Sequence, residues 1–138
     1  MNQSIPAILL IYIASGGAAV ADDVSGARNL LCSTLHSEIC VSEGGCTPIQ
    51  PAEINVPRFI RLDARSGKLA TTAASGQNRE TVAPSVYRSD GELILQGVEA
   101  GRAFSLYVDE ASGDATFASA SDGHSVTVFA ACTPEVVK

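Results

Sequence analysis

The chain has no tryptophan, one methionine and two histidines in 138 residues, and aromatic residues make up 5% of it. A core without tryptophan has to be filled mainly by Ala, Val, Ile and Leu, so the composition gives no reason to expect a large ligand cavity. Short catalytic signatures are missing too. There is no G-x-S-x-G elbow, no H-E-x-x-H, no Walker loop and no G-x-G-x-x-G outside the N-terminal segment. No motif fixes a chemistry.

Charge is absent from the start of the chain, where no Lys, Arg, Asp or Glu precedes Asp22. Within that stretch residues 7–14 (AILLIYIA) are apolar, long enough for the core of a secretory signal and too short to span a bilayer. Ala19-Val20-Ala21 supplies the small residues of a cleavage site, although the first six residues lack the usual Lys or Arg. Residues 1–21 are therefore predicted to be a signal peptide, and residues 22–138 a single β domain. A lipoprotein signal does not fit, because Cys32 follows the bulky pair Leu30-Leu31 and lies well beyond the apolar run. The expected location is periplasmic or secreted, with no membrane attachment after cleavage.

The net charge of −6 falls entirely on the mature part. An acidic chain lacks the Lys/Arg patches that displace counterions from nucleic acid or anionic membranes. It suits simple solubility or a basic partner.

Cysteine is present in an even number, at Cys32, Cys40, Cys46 and Cys132. On an export route this predicts two disulfides, with three possible connectivities. The favoured pairing is Cys40 with Cys46, around Gly44-Gly45, and Cys32 with Cys132, which would tie the first strand to the last. The long bridge removes loop entropy worth about 4.7 kcal/mol from the unfolded chain. A zinc site is disfavoured, since the spacings are not C-x-x-C.

Hydrophobic alternation carries the fold. The clearest element is residues 104–120, where Phe104, Leu106 and Val108 alternate with polar neighbours, Ser112-Gly113 supplies turn chemistry, and Ala115-Thr116-Phe117 returns. Strands are also expected at 28–35, 54–63 with Pro57 marking an edge or bulge, 68–74, 92–99 and 125–132. Residues 81–87 are strand-like but interrupted by Pro84, and residues 40–46 are expected to be a turn. Two prolines in residues 47–52 argue against a central strand there. An internal echo runs through the chain: residues 59–75 resemble residues 104–121, and Asp63 to Gly67 matches Asp109 to Gly113 position for position. About eight short strands with Gly-containing turns and no long helix predict an all-β fold, a small antiparallel β-barrel or sandwich stapled by disulfides. In a barrel, the Cys32–Cys132 bridge is expected at the closing seam.

Candidate side chains are few. His36 and His124 are expected to be ordinary surface or structural residues. Asp109, Glu110 and Asp114 crowd one turn at a spacing that does not match a calcium loop, so a solvated acidic turn is expected. Arg58, Arg61 and Arg65 make a weak basic series. Tyr87, Tyr107 and Phe117 suit either an exposed aromatic surface or cross-strand packing. No catalytic residue, cofactor or metal ligand is assigned.

The tail, residues 93–123 followed by VFAACT, resembles the C-terminal parts of small, exported, cysteine-containing bacterial proteins of unknown function. More distantly, the chain is similar to periplasmic C-type lysozyme inhibitors, which share export, a small β-barrel and a bridge from an early strand to the C-terminus. Their Ser-Gly-x-x-Tyr loop and tryptophan-bearing strand are missing, since Ser25-Gly26 is followed by Ala27-Arg28-Asn29. No inhibitory residue carries over. The resulting expectation is a non-enzymatic binding or envelope-accessory module whose partner is a basic protein or a small ligand. The alternative is a small periplasmic hydrolase with a dispersed active site.

Overall fold

The structure is a computed structural model, and it describes residues 22–136; the expected signal peptide lies outside the described residues. Ten strands follow in chain order: β1 (Asn29–Val41), β2 (Gly45–Ile49), β3 (Phe59–Asp63), β4 (Lys68–Thr71), β5 (Glu80–Val82), β6 (Ser85–Ser89), β7 (Glu92–Glu99), β8 (Arg102–Asp109), β9 (Asp114–Ser121) and β10 (His124–Pro134). All pair antiparallel, in the order β5-β4-β3-β1-β10-β9-β8-β7-β6, while β2 pairs with the far half of β1. The sheet is strongly curled and its concave side is the core. Leu30, Leu62, Leu93, Leu95, Val108 and Val128 point there and are at most 2% exposed. Their alternation with half-buried or exposed neighbours is the period-two pattern of strands with one dry face.

More strands form than the roughly eight expected, for two local reasons. Pro84 cannot donate to a ladder, and it splits the stretch around it into β5, which pairs with β4, and β6, which pairs with β7. The expected turn at residues 40–46 is mostly strand: Cys40 and Cys46 are directly paired across a tight hairpin, and Pro48 sits in a strand paired on one side with β1. β1 also outruns its expected end at Leu35, because β10 offers it partners as far as Val41. A bulge between Thr34 and His36 pushes Leu35 out, 57% exposed. Conversely, the strand expected from residue 54 begins only at Phe59, after a 3-10 turn at Pro51–Ile54 that ends on Asn55 at φ 58°.

The disulfides join Cys32 to Cys132 and Cys40 to Cys46. Each links residues that already face one another on neighbouring strands. The expected seam position of the long bridge is therefore corrected. Strands β1 and β10 lie inside the ladder, and its edges are β5 and β6. Those edges are consecutive in sequence, joined by Ala83 and Pro84, so the sheet curls until they approach. No ladder pairs them; Ala83 N–H donates to Gly67 O of the β3–β4 turn at 2.9 Å, and Thr81 Oγ1 of β5 donates to Glu99 Oε1 of β7 at 2.6 Å. A Cβ on Gly67 would lie 2.7 Å from Val86 Cγ2 of β6, and one on Gly97 would lie 2.9 Å from Pro84 and Phe104, so both glycines are required where the edges meet.

The internal echo extends to hydrogen bonding. Asp63 Oδ1 accepts from the amides of Arg65 and Ser66, and Asp109 Oδ1 accepts from those of Ala111 and Ser112. Gly67 and Gly113 donate to the carbonyls of Asp63 and Asp109, and accept from Ala83 and Cys132. The buried pair Leu30–Leu62 of β1 and β3 likewise corresponds to Leu93–Val108 of β7 and β8. One four-strand unit is thus used twice, head to tail around the sheet.

Candidate functional site

The two ends of the curled sheet differ. At the end holding both aspartate turns, residues 22–27 fold back as a plug. Val24 is 1% exposed and donates its amide to Glu110 O, and Asp22 accepts from Thr133 Oγ1 at 2.8 Å. Arg88 of β6 holds the plug from inside. Its Nε donates to Glu110 Oε1 at 2.6 Å and its Nη1 to Ala27 O at 2.9 Å. Glu110 is 6% exposed, so the expected solvated acidic turn is corrected: Asp109 caps its own turn, Glu110 turns inward to an arginine, and only Asp114 stays exposed. A lone buried carboxylate would be costly, and the guanidinium together with the backbone carbonyls is what makes its burial tolerable.

The opposite end is open and leads to a pocket of about 110 Å³ inside the sheet. Its floor is Cys32, Leu106, Ala115 and Val128, each at most 7% exposed, with Phe104 beside them. Phe117 stacks on Phe104 with ring centroids 5.8 Å apart. Half-buried Ile60, Leu69 and Ala130 complete the apolar wall. The rim comes from three segments: apolar Val56 and Pro57 before β3, and the polar groups of Arg79 and Thr81 at β5 and of Glu99 at the end of β7. Thr34 Oγ1, on the neighbouring strand β1, donates to Pro57 O at 3.2 Å and fixes the loop over the mouth. Strand alternation makes this site, since residues two apart on each strand share the concave face.

The residues singled out by sequence do not gather here. His36 stacks on Phe129 at 4.6 Å on the outer face. His124 stands on the exposed β9–β10 tip, with Nε2 2.9 Å from Ser121 Oγ and Nδ1 3.1 Å from Asp122 O. That is nucleophile–base spacing, but neither histidine lines the pocket. Arg61 pairs with Glu135, Arg58 lies over the Phe59 ring, and neither lines the pocket. Of the aromatic trio, Phe117 faces inward, whereas Tyr87 and Tyr107 point outward. The Tyr107 phenol is held above its ordinary pKa by partial desolvation and then by the Glu92 carboxylate, 3.3 Å away. Among the described residues, no group of three His, Cys, Asp or Glu could hold a metal.

Sequence reasoning missed the pocket and the plug. Arg79, Thr81 and Glu99 come together only because the sheet curls, and nothing in their spacing marks that. Comparison with protein-family models, curated proteins and solved structures finds no match to this chain.

Proposed function

We propose that the chain is an exported binding module that acts without covalent chemistry and takes the apolar part of a small ligand into the pocket inside its sheet. One observation carries the reading: an apolar pocket opens at the unplugged end of the sheet beneath a polar rim. Small-molecule sites have this make-up, an apolar lining with a few convergent polar groups. The two disulfides agree with an oxidising compartment outside the cytoplasm. The periplasm or the medium is the proposed location, and N-terminal sequencing of fractionated protein, starting at Asp22, tests both export and cleavage.

The curled sheet is best understood as a small barrel of eight staves, β5 and β6 serving as two halves of one stave kinked at Pro84. Its interior is then largely filled by side chains, as the size class demands, and the pocket is what the filling leaves. Benzene is the direct probe, because an engineered apolar cavity of about 150 Å³ takes it up dry. Saturable shifts of the Leu69, Leu106 and Val128 methyl resonances are expected, and Ala130→Leu should abolish them by filling the space. Methyl shifts that stay linear in benzene would overturn the reading. A lysozyme-inhibitor-like role rests only on the net charge of −6 and is tested by a lysozyme inhibition assay at low salt.

A further inference from the structure

The rim of the pocket carries an arginine with an uncommitted edge. Arg79 Nη1 is anchored, donating to Asn55 O at 2.9 Å and to Gln77 Oε1 at 3.3 Å. Its Nη2 approaches Glu99 Oε1 no closer than 3.9 Å, beyond hydrogen-bond distance. That carboxylate oxygen already accepts a 2.6 Å bond from Thr81 Oγ1. So one side of the guanidinium is fixed to the protein, and the other presents N–H donors at the mouth of an apolar pocket. The side chain is 46% exposed, which leaves that edge accessible.

We propose that the preferred ligand is a small monocarboxylate amphiphile, with a short aliphatic chain or a single ring in the pocket and its carboxylate on Arg79. The inference rests on the pocket-binding reading above. Size follows from the volume of about 110 Å³, the same order as the ~150 Å³ cavity that accepts benzene, so one ring or a short chain fills it and the head remains at the rim. Head-group chemistry follows from the donor: a planar guanidinium held in one orientation pairs a carboxylate through two parallel N–H···O bonds, and the anchoring has already removed much of its rotamer freedom. Glu99, held by Thr81, stands 3.9 Å from that edge, so the ligand carboxylate shares the rim with one fixed negative charge. It also limits the head to a single negative charge, since a dianion at this rim would face a second carboxylate.

The test uses the purified full chain with its disulfides intact and three probes sharing one chain length: hexanoate, hexanol and hexylamine, titrated at fixed ionic strength by calorimetry. Hexanoate is expected to bind at least about tenfold more tightly than hexanol, the share of a charge-assisted hydrogen bond. In Arg79→Gln the ratio of hexanoate to hexanol affinity should fall to about one with thermal unfolding little changed, and Ala130→Leu should weaken hexanoate and hexanol alike. Equal affinity for hexanoate and hexanol in the native protein would overturn the head-group inference and leave the pocket reading standing. So would a preference for hexylamine, which would make Glu99 the anchor. If none of the three binds, the pocket reading itself fails.

Discussion

Besides Arg61–Glu135, two arginine–glutamate pairs mark the opposite ends of the curled sheet, Arg88–Glu110 at the plugged end and Arg79–Glu99 at the open one, and their surroundings differ. Arg88 and Glu110, at the plugged end, have side chains 27% and 8% exposed; Arg79 and Glu99, at the open end, have 46% and 39%. Arg88 also donates to carbonyl groups of the plug, whereas Arg79 leaves one edge of its guanidinium free. The first pair has become part of the packing, so removing one partner strands a charge out of water. The second remains in contact with solvent, where its strength is screened and its donors can be taken by something else. The same two residue types thus close one end and equip the other.

The largest expected effect falls between the two ends, on the bridge that both rely on. Cys32 lies in the pocket floor, and Cys132 donates its amide to Gly113 O beside the plugged end. Replacing both by alanine should cost about 4.7 kcal/mol on the chain-entropy account, because the bridge closes a loop 100 residues long. The Cys40–Cys46 bridge closes only 6 residues, and its loss should cost about 2 kcal/mol. Urea unfolding under non-reducing conditions measures both. Equal losses would mean that loop length does not govern these bridges.

Next comes the plugged end. Glu110→Ala should destabilise by about 3 kcal/mol, the lower part of the range for breaking a buried pair, since Arg88 retains some contact with water. Amide exchange at Val24 should accelerate much more than exchange at Val128, because the plug loses its inner support. A variant whose Val24 amide stayed as protected as before would show that burial of Val24 alone holds the plug.

A smaller effect separates the two aspartate turns, which share their backbone bonds but differ in charge partners. The Arg28 guanidinium, 3.1 Å from Asp63, holds that carboxyl down at about 2, with the amides of Arg65 and Ser66 adding to the effect. Since the folded-state value is depressed, the contribution is present above the ordinary carboxylate value near 4. It is lost as pH falls through about 2. Arg28 is 60% exposed, so screening keeps the magnitude under about 1 kcal/mol. Asp63→Asn should flatten the acid limb of the stability profile between about pH 4 and 2. An unchanged acid limb would mean that other carboxylates set it.

How much of this could be read in advance follows from which interactions are local. The hairpin of β8 and β9, strand β7 and the Asp-x-x-Ser-Gly turns were legible because side-chain alternation and turn chemistry reside within a few residues. The fate of Glu110 was not legible. Its neighbours Asp109 and Asp114 suggest solvent, and its partner Arg88 is brought beside it only by the pairing of β6 with β7 and β7 with β8. The pocket was illegible for the same reason, since its rim draws on residues 34, 57, 79 and 99. The cysteines could be read as a set of bridges, but their place in the ladder required knowing that the two edges were β5 and β6.

The smallest expected effect sharpens the comparison most. Arg79→Gln should change folding stability by less than about 0.5 kcal/mol, because a half-exposed pair 3.9 Å apart contributes little against solvent. Glutamine can still donate one bond toward Asn55 O, so the loop over the mouth keeps a tether. Arg88→Gln, the same chemical change at the other end, leaves the buried Glu110 carboxylate without its cation and should cost several-fold more. Urea denaturation of the two variants side by side, with equal slopes, measures the difference. Similar losses in both would mean that Arg79 is a structural tether like Arg88, its apparent freedom at the rim being no guide to its use. A wide gap leaves Arg79 as a charged group at the pocket mouth that the fold does not need for its own stability, as a residue reserved for a ligand should be.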